Sequence, residues 1–479
     1  MAVIGKWTGG TTTLLPGTGW TSPNGLFATE ERNDGSAYGF SSSASSITLP
    51  ASDLANGYLI IGLFEIEDTS NGRVNPSARF SRTTGTGNFV TSQSSGYSRD
   101  NSEDRSYCFA WAFVDNPSAA SVFAFQWKRD TDVPAGGTVR STLQVIPLFY
   151  SQVGIFQSNS TACPGNTTPS QITGFTAIQE PSNITLSSNV VTLSGQNKNY
   201  LCLGSYFWEN IGTSRTQRWG GFTVDGTFDN SKKGYSYARN ASNANIGEMF
   251  TGIVSTTTTA RTLEASVYRG DGVANGQGGA NVTGNTTGAN PVHNIVVLEL
   301  NDGTEFFEAV TSTQSANIAS TGATDINVAE QVNSISPAAF SKNSDSQIQA
   351  EKNQDVLSGF NISCASFNVG SGQRYTGFGE YTINGTEDTT LFSGEYLRNN
   401  QGTQDTFGWS TNAIAALPML ENDLLGASIT ELPGSEGGGG NVAAPSGWVG
   451  FWGVNLDSME PAPTPTFSAY WAEGVNVMS

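Results

Sequence analysis

Charge is scarce in this chain: Asp, Glu, Lys and Arg supply 13% of 479 residues, against about 25% in an ordinary globular protein. Basic residues are the rarer kind, 22 against 41 acidic ones, which leaves a formal net charge of -19. Such a field repels phosphate backbones and anionic lipid, so nucleic acid and acidic membrane are not expected partners. No apolar run reaches the 18 or so residues of a membrane-spanning helix, so no membrane insertion is expected. The start, Met1-Ala2-Val3-Ile4-Gly5-Lys6, lacks a secretory apolar region, and synthesis in a cytoplasm follows as the expectation. On that basis sequons such as Asn183-Ile184-Thr185 are chance products of an Asn, Ser and Thr-rich chain.

Histidine and cysteine are rarer still. His293 is the only histidine, so zinc sites with several imidazoles are excluded and any serine or cysteine triad would depend on this one ring. No nucleophile elbow stands near it, and it opens the apolar run Asn294-Ile295-Val296-Val297-Leu298, which reads as a structural strand position. Cys108, Cys163, Cys202 and Cys364 show no CxxC spacing and read as free, buried, inert thiols. Aspartate-rich calcium loops are missing too, with Asp130 to Asp132 and Asp225 to Asp229 the only places for an incidental ion. The expectation is no cofactor, no metal and no catalytic set.

Gly, Ser, Thr and Asn fill the chain instead. These are poor helix formers, whereas Thr, Val and the aromatics suit a pleated surface. Apolar and polar residues tend to alternate in Ser121 to Trp127 and Thr262 to Tyr268, as in strands with one buried face. Asp225-Gly226 and Asn384-Gly385 each follow a strand-like run and supply the positive φ angles of tight hairpins. The fold class is all-β, with Ile414 to Leu425 the one window long enough for a helix.

One pattern recurs three times: Gly96-Tyr97-Ser98-Arg99-Asp100-Asn101, Gly234-Tyr235-Ser236-Tyr237-Ala238-Arg239-Asn240, and Gly394-Glu395-Tyr396-Leu397-Arg398-Asn399-Asn400. An Arg-aromatic pair precedes each: Arg79-Phe80, Arg218-Trp219 and Arg374-Tyr375. Tyr58-Leu59-Ile60-Ile61-Gly62 also resembles Tyr200-Leu201-Cys202-Leu203-Gly204 and, more weakly, Val356-Leu357-Ser358-Gly359. A spacing of roughly 140 to 160 residues is that of a whole domain. The chain therefore reads as three tandem, related antiparallel β-sandwiches of jelly-roll type: residues 1–155 with an N-terminal arm, 156–310, and 311–479 with a C-terminal tail. The joints are expected in the polar stretches Asn159 to Ser170 and Thr311 to Thr324.

Candidate chemistry is thin. Glu65, Glu67 and Asp68 are the densest early acids, with Glu209 at the related position of the second copy. A glycosidase pair would be sought first among them, but the third copy has no acid at the matching place, and turn or rim carboxylates account for them. Arg269-Gly270-Asp271 spells an adhesion tripeptide, but the first copy has Lys128-Arg129-Asp130 at the same place, so the repeat already explains it. The recurring Gly-aromatic-Arg-Asn element admits two readings: three sugar or receptor sites, or turn and core elements. Its presence in every copy favours the structural one. Loop function is then expected where copies differ most, Gly270 to Pro291 and Gly434 to Pro445.

Taken together, the tandem β-domains, the low charge, the scarcity of His and Cys and the unprocessed start make the chain resemble bacteriophage virion proteins of the capsid-decoration or head-fibre type, built from tandem jelly-roll or tumour-necrosis-factor-like sandwiches. The resemblance implies a non-enzymatic virion component assembled in the host cytoplasm. It would associate with the major capsid or other virion proteins, as a homo-oligomer and in particular a trimer. A tail fibre binding host surface glycan, or a polysaccharide depolymerase, are the other readings.

Overall fold

The computed structural model describes residues 4–12, 19–22, 27–34, 41–43, 46–49, 55–68, 73–99, 105–129, 137–164, 166–208, 216–238, 245–269, 282–283, 293–312, 317–318, 323–367, 374–398, 407–431, 442–443 and 447–459. All sheets are antiparallel, and one strand order is used three times. In the second copy the inner sheet runs Phe175–Gln179, Gln152–Ser158, His293–Glu299, Asn199–Trp208, Ile246–Ser255. Its third-copy counterpart is Gln331–Ile335, Phe306–Thr311, Gly447–Asn455, Gln354–Phe367, Phe407–Met419. The first copy repeats this as Thr29–Asn33, Gly5–Thr12, Gly137–Leu148, Gly57–Asp68, Arg105–Asp115, and adds the short edge strand Asn88–Thr91. An outer sheet faces each inner one, and the space between them is filled by a core of its own, for example Tyr58, Phe64, Phe80, Phe125 and Trp127 in the first sandwich. The fold is three β-sandwiches of jelly-roll type.

Strand membership assigns the chain to sandwiches. The strand Gln152–Ser158 runs across residue 155 and pairs only within the second sandwich, while Phe306–Thr311 pairs only within the third. Between the sandwiches lie the short connections Phe149 to Ser151 and Leu300 to Glu305. The polar stretches expected as joints, Asn159 to Ser170 and Thr311 to Thr324, instead carry short strands inside the second and third sandwiches. Polarity marked loops there, because the true connections are short and buried on one side. The helical window is also corrected: Ile414 to Met419 belongs to a strand and Leu424 opens the next. Its unbroken apolar run arises because that strand is buried on both faces. Both hairpins form as expected, with Asp225 at φ 49° and Gly226 at 75°, and Asn384 at 55° and Gly385 at 75°, the two left-handed residues of a type I′ turn.

Burial on both faces extends to all three inner sheets. Along Gly57–Asp68, Tyr58, Ile60, Phe64 and Ile66 fill the first sandwich, while Leu59, Ile61 and Leu63 point the other way. Tyr200, Cys202 and Tyr206 fill the second sandwich as Leu201 and Leu203 point away, and Leu357 does the same between Val356 and Phe360 in the third. These outward residues, with Phe109, Trp111, Phe113, Val296, Ile414 and Trp452, make one central core drawn from all three sandwiches. The outer sheets keep one half-exposed face, as in Arg261–Arg269.

In the third copy the glycine of this inner strand stands one residue nearer its leucine than in the other two. Gly62 and Gly204 approach rings inside their sandwiches, Phe125 and Phe250, whereas Gly359 approaches Trp452, a side chain of the central core. Aligning Leu357 with Leu59 and Leu201 restores the match and moves Gly359 by one place, and a shift of one residue reverses the face.

Closure is cyclic. The strand Gln93–Ser95 lies against the inner sheet of the second sandwich, Thr227–Ala238 against that of the third, and Thr386–Arg398 against Gly57–Asp68 and Arg105–Asp115 of the first. Each seam therefore uses one surface of one sandwich against a different surface of the next, a head-to-tail contact that closes after three steps. The seams are tied by neutral amides. Asn294 Nδ2 donates to Thr91 O at 2.8 Å, and Asn361 Nδ2 donates to Thr251 O at 2.8 Å. Gln144 Nε2 donates to Ala416 O at 3.0 Å while its Oε1 accepts from Ala416 N at 2.8 Å. Arg32 adds a two-pronged ion pair to Asp355, at 2.7 and 3.0 Å, on the third-to-first seam.

A shared core predicts shared unfolding. Calorimetry of the full chain should give one transition, and Trp452→Ala should lower its stability by ~3–5 kcal/mol, the usual cost of emptying a buried aromatic site. Three separable transitions, with only the third moved by the substitution, would contradict the shared core.

Candidate functional site

The repeated glycine-aromatic element lies at the seams. Tyr97 of the first sandwich meets Tyr237 of the second edge to face, ring centres 5.2 Å apart, within a cluster that includes Trp219 and Tyr235. Tyr235 N donates to Ser410 Oγ of the third sandwich at 2.7 Å. Gly394 of the third approaches Tyr107 of the first, and Gly234 approaches Asn412 of the third, so closely that a Cβ would collide. Glycine is needed at these two positions because a neighbouring sandwich stands where a side chain would project. The Asn residues of the element, and Arg239, lie outside the described residues.

The paired arginines do different work. Arg79 stacks on Trp20 with its guanidinium carbon 4.2 Å from the ring centre, and its Nε donates to Gln126 Oε1. Arg218 is fully buried, its Nε 3.2 Å from Cys163 Sγ. Burial raises the Cys163 thiol pKa against the lowering pull of that guanidinium, so the thiol stays protonated. Cys108 and Cys202 are likewise buried thiols outside any disulfide.

His293 is buried in the second sandwich. Its Nδ1 accepts from Phe207 N at 3.4 Å and its Nε2 lies 3.0 Å from Ser160 O, an arrangement that fits the neutral ring. Burial pulls its pKa down to about 4, with the Ser160 carbonyl opposing. No serine or cysteine nucleophile is among these partners. Among the described residues no group of three metal-ligating side chains forms. Asp225 caps its turn by accepting from Thr262 N, and Asp229 binds Lys232 and Ser231. Asp130 to Asp132, Gly270-Asp271, and the loops Gly270 to Pro291 and Gly434 to Pro445, apart from short strand pieces, fall outside the described residues.

Of the acids flagged in the sequence, Glu209 lies outside the described residues, and Glu67 and Asp68 continue the strand of Glu65. Glu65 itself extends the outward face of Leu59, Ile61 and Leu63 into the third-to-first seam, where Arg140 Nε and Nη2 both reach its Oε2 at 2.5 Å. What the sequence did not mark is Glu380. This third-sandwich carboxyl feels Glu65 and Arg140 of the first sandwich as well as Glu387 and Asp388 of its own, and burial first, then these acids, push its pKa up to about 7. Glu65 and Glu380 are 4% and 5% exposed, too enclosed to admit a sugar ring between them. No signal in the sequence could link residues 65 and 380, because only the cyclic closure brings them together.

A cavity of about 500 Å³ opens at the first-to-second seam, beside the connection Phe149 to Ser151. Asp115 stands in its wall with Oδ1 accepting from Tyr150 OH at 2.5 Å. Across the seam, Asn88 Nδ2 donates to Gln179 Oε1 at 2.6 Å, and both amides hydrogen-bond the Asp115 carboxyl, whose pKa is raised by burial in spite of them.

No protein-family model and no curated protein matches the chain. Among solved structures, the globular domain of zebrafish complement 1qA protein is 12% identical, covering 32% of this chain and 97% of that one with a TM-score of 0.20. A chain described as the triple jelly roll fold and turret assembly in an archaeal virus is 10% identical, covering 86% of this chain and 82% of that one with a TM-score of 0.17. At these values neither likeness bears on function.

Glu380 sets a pH dependence whose sign is definite. Its folded pKa lies above the unfolded value of 4.5, so the folded state holds the proton longer and loses relative stability as pH rises from 4.5 to about 7. Glu380→Gln should therefore gain in melting temperature over the parent across that window and keep the gain above it. A gain of the same size at pH 4 and pH 8 would remove Glu380 as the cause. His293 acts oppositely: its lowered pKa removes stability as pH falls from 6.5 towards 4.

Proposed function

We propose that this chain is a non-enzymatic structural protein of a virus particle, of the phage capsid-decoration or head-fibre kind. The observation that carries this reading is the cyclic union of three sandwiches about one core. It makes a stiff, threefold-like body from a single chain, whose parts cannot swing against one another without opening a buried apolar core. A particle needs such a body as a clamp or projection, and the net charge of -19 keeps it off nucleic acid during assembly in the host cytoplasm. Its partners are the major capsid protein or other virion proteins.

The head-to-tail packing of three sandwiches forms one unit within a single chain, and the assembled form proposed is a homo-oligomer of such units, in particular a trimer. Light scattering of the purified protein should give about three times its 50.4 kDa mass; a strictly monomeric mass would count against the reading. Mass spectrometry of purified particles from the source virus should find the chain at fixed stoichiometry to the capsid protein. Its complete absence from particles would overturn the reading.

A further inference from the structure

We propose that the cavity at the first-to-second seam is a binding site for a neutral, hydroxyl-rich ligand of the saccharide class. This goes beyond the particle role and does not depend on it.

The volume, about 500 Å³, lies within the roughly 300–1,000 Å³ of small-molecule sites. Its wall combines what a sugar ring needs. Asp115 and the Gln179 amide accept and donate side by side, and Asn116 presents an exposed amide from a left-handed backbone position, φ 43°. Phe149 lines the same cavity and is half-exposed, offering an apolar face to the C–H side of a ring. Asn56 is exposed at the wall, its Oδ1 already held by Tyr150 N at 3.2 Å, so its NH₂ hydrogens are the donors left for a ligand.

The charge of the wall selects the ligand. None of the cavity's lining residues is basic, and its one acid is Asp115. Behind Ser151, whose Oγ donates to Glu299 Oε1 at 2.9 Å, stands a second carboxylate. An anionic ligand, whether phosphate or an acidic sugar, would meet a carboxylate in the wall and a second behind it, with no basic residue in the lining. A neutral polyol instead gives hydroxyls to the carboxylate and takes hydrogen bonds from the amides. The site is also pre-organised: Asp115 is held by Tyr150, Asn88 and Gln179, groups from both sandwiches and their connection. A ligand seated there bridges the seam and should stabilise the fold by mass action.

The test uses the full chain on an array of neutral and acidic oligosaccharides, followed by titration calorimetry and melting curves with the best neutral sugar. Expected are binding by at least one neutral glycan, none by sialylated probes, and a raised melting temperature in its presence. Asn116→Gly keeps the backbone conformation while removing the amide, and Asp115→Asn removes the charge. Each should weaken binding at least tenfold, with the unliganded melting temperature of Asn116→Gly unchanged. If no neutral saccharide binds, if acidic ones bind as well, or if Asn116→Gly and Asp115→Asn both bind like the parent, the assignment is overturned.

Discussion

The central apolar core, shared by three inner sheets, is the constraint on which the rest of the structure depends. An antiparallel sheet can leave one face in water, and here none of the inner sheets does. Leu59, Leu201 and Leu357 are each removed from solvent by the sandwiches beside their own. Separating one sandwich would expose that face of its inner sheet and of its neighbours together. Stability in this protein is therefore a property of the closed ring.

The polar residues follow from the same constraint. A seam buried between two sheets still contains side chains with hydrogen-bonding groups, and each must find a partner. Asn and Gln satisfy such positions without the desolvation cost of charge, as Gln144 does against both backbone groups of Ala416. The few buried charges occur in sets. Lys232, buried, binds Asp229 of its own strand and Glu308 across the second-to-third seam, and these two acids outweigh the lowering effect of burial on its pKa. Glu380 instead lies among acids, with Arg140 opposing them. The scarcity of charge is thus what a chain with three internal interfaces requires.

Much of the single sandwich was legible in advance. The Asp225-Gly226 and Asn384-Gly385 hairpins and the alternation in the outer strands reflect local backbone and burial rules, whereas the recurring Gly-aromatic element, readable as a repeat, owes Gly234 and Gly394 to the seams. Other features misled for a physical reason. Ile414 to Leu425 looked helical because burial on both faces erases the period of two, and the polar stretches taken for joints carry short strands within a sandwich. The cavity was not legible at all, since Asp115, Tyr150 and Gln179 belong to no motif and converge only where two sandwiches meet.

The sequence by itself determined the all-β class, the three copies and the poverty of catalytic residue types, because these depend on composition, turn chemistry and periodicity along the chain. Tertiary structure alone decided that the copies close head to tail about one core, which side of each strand meets a neighbour, and that Glu65 comes within electrostatic reach of Glu380. Those relations join residues hundreds of positions apart, and they follow from shape and burial between sheets, which no local pattern encodes.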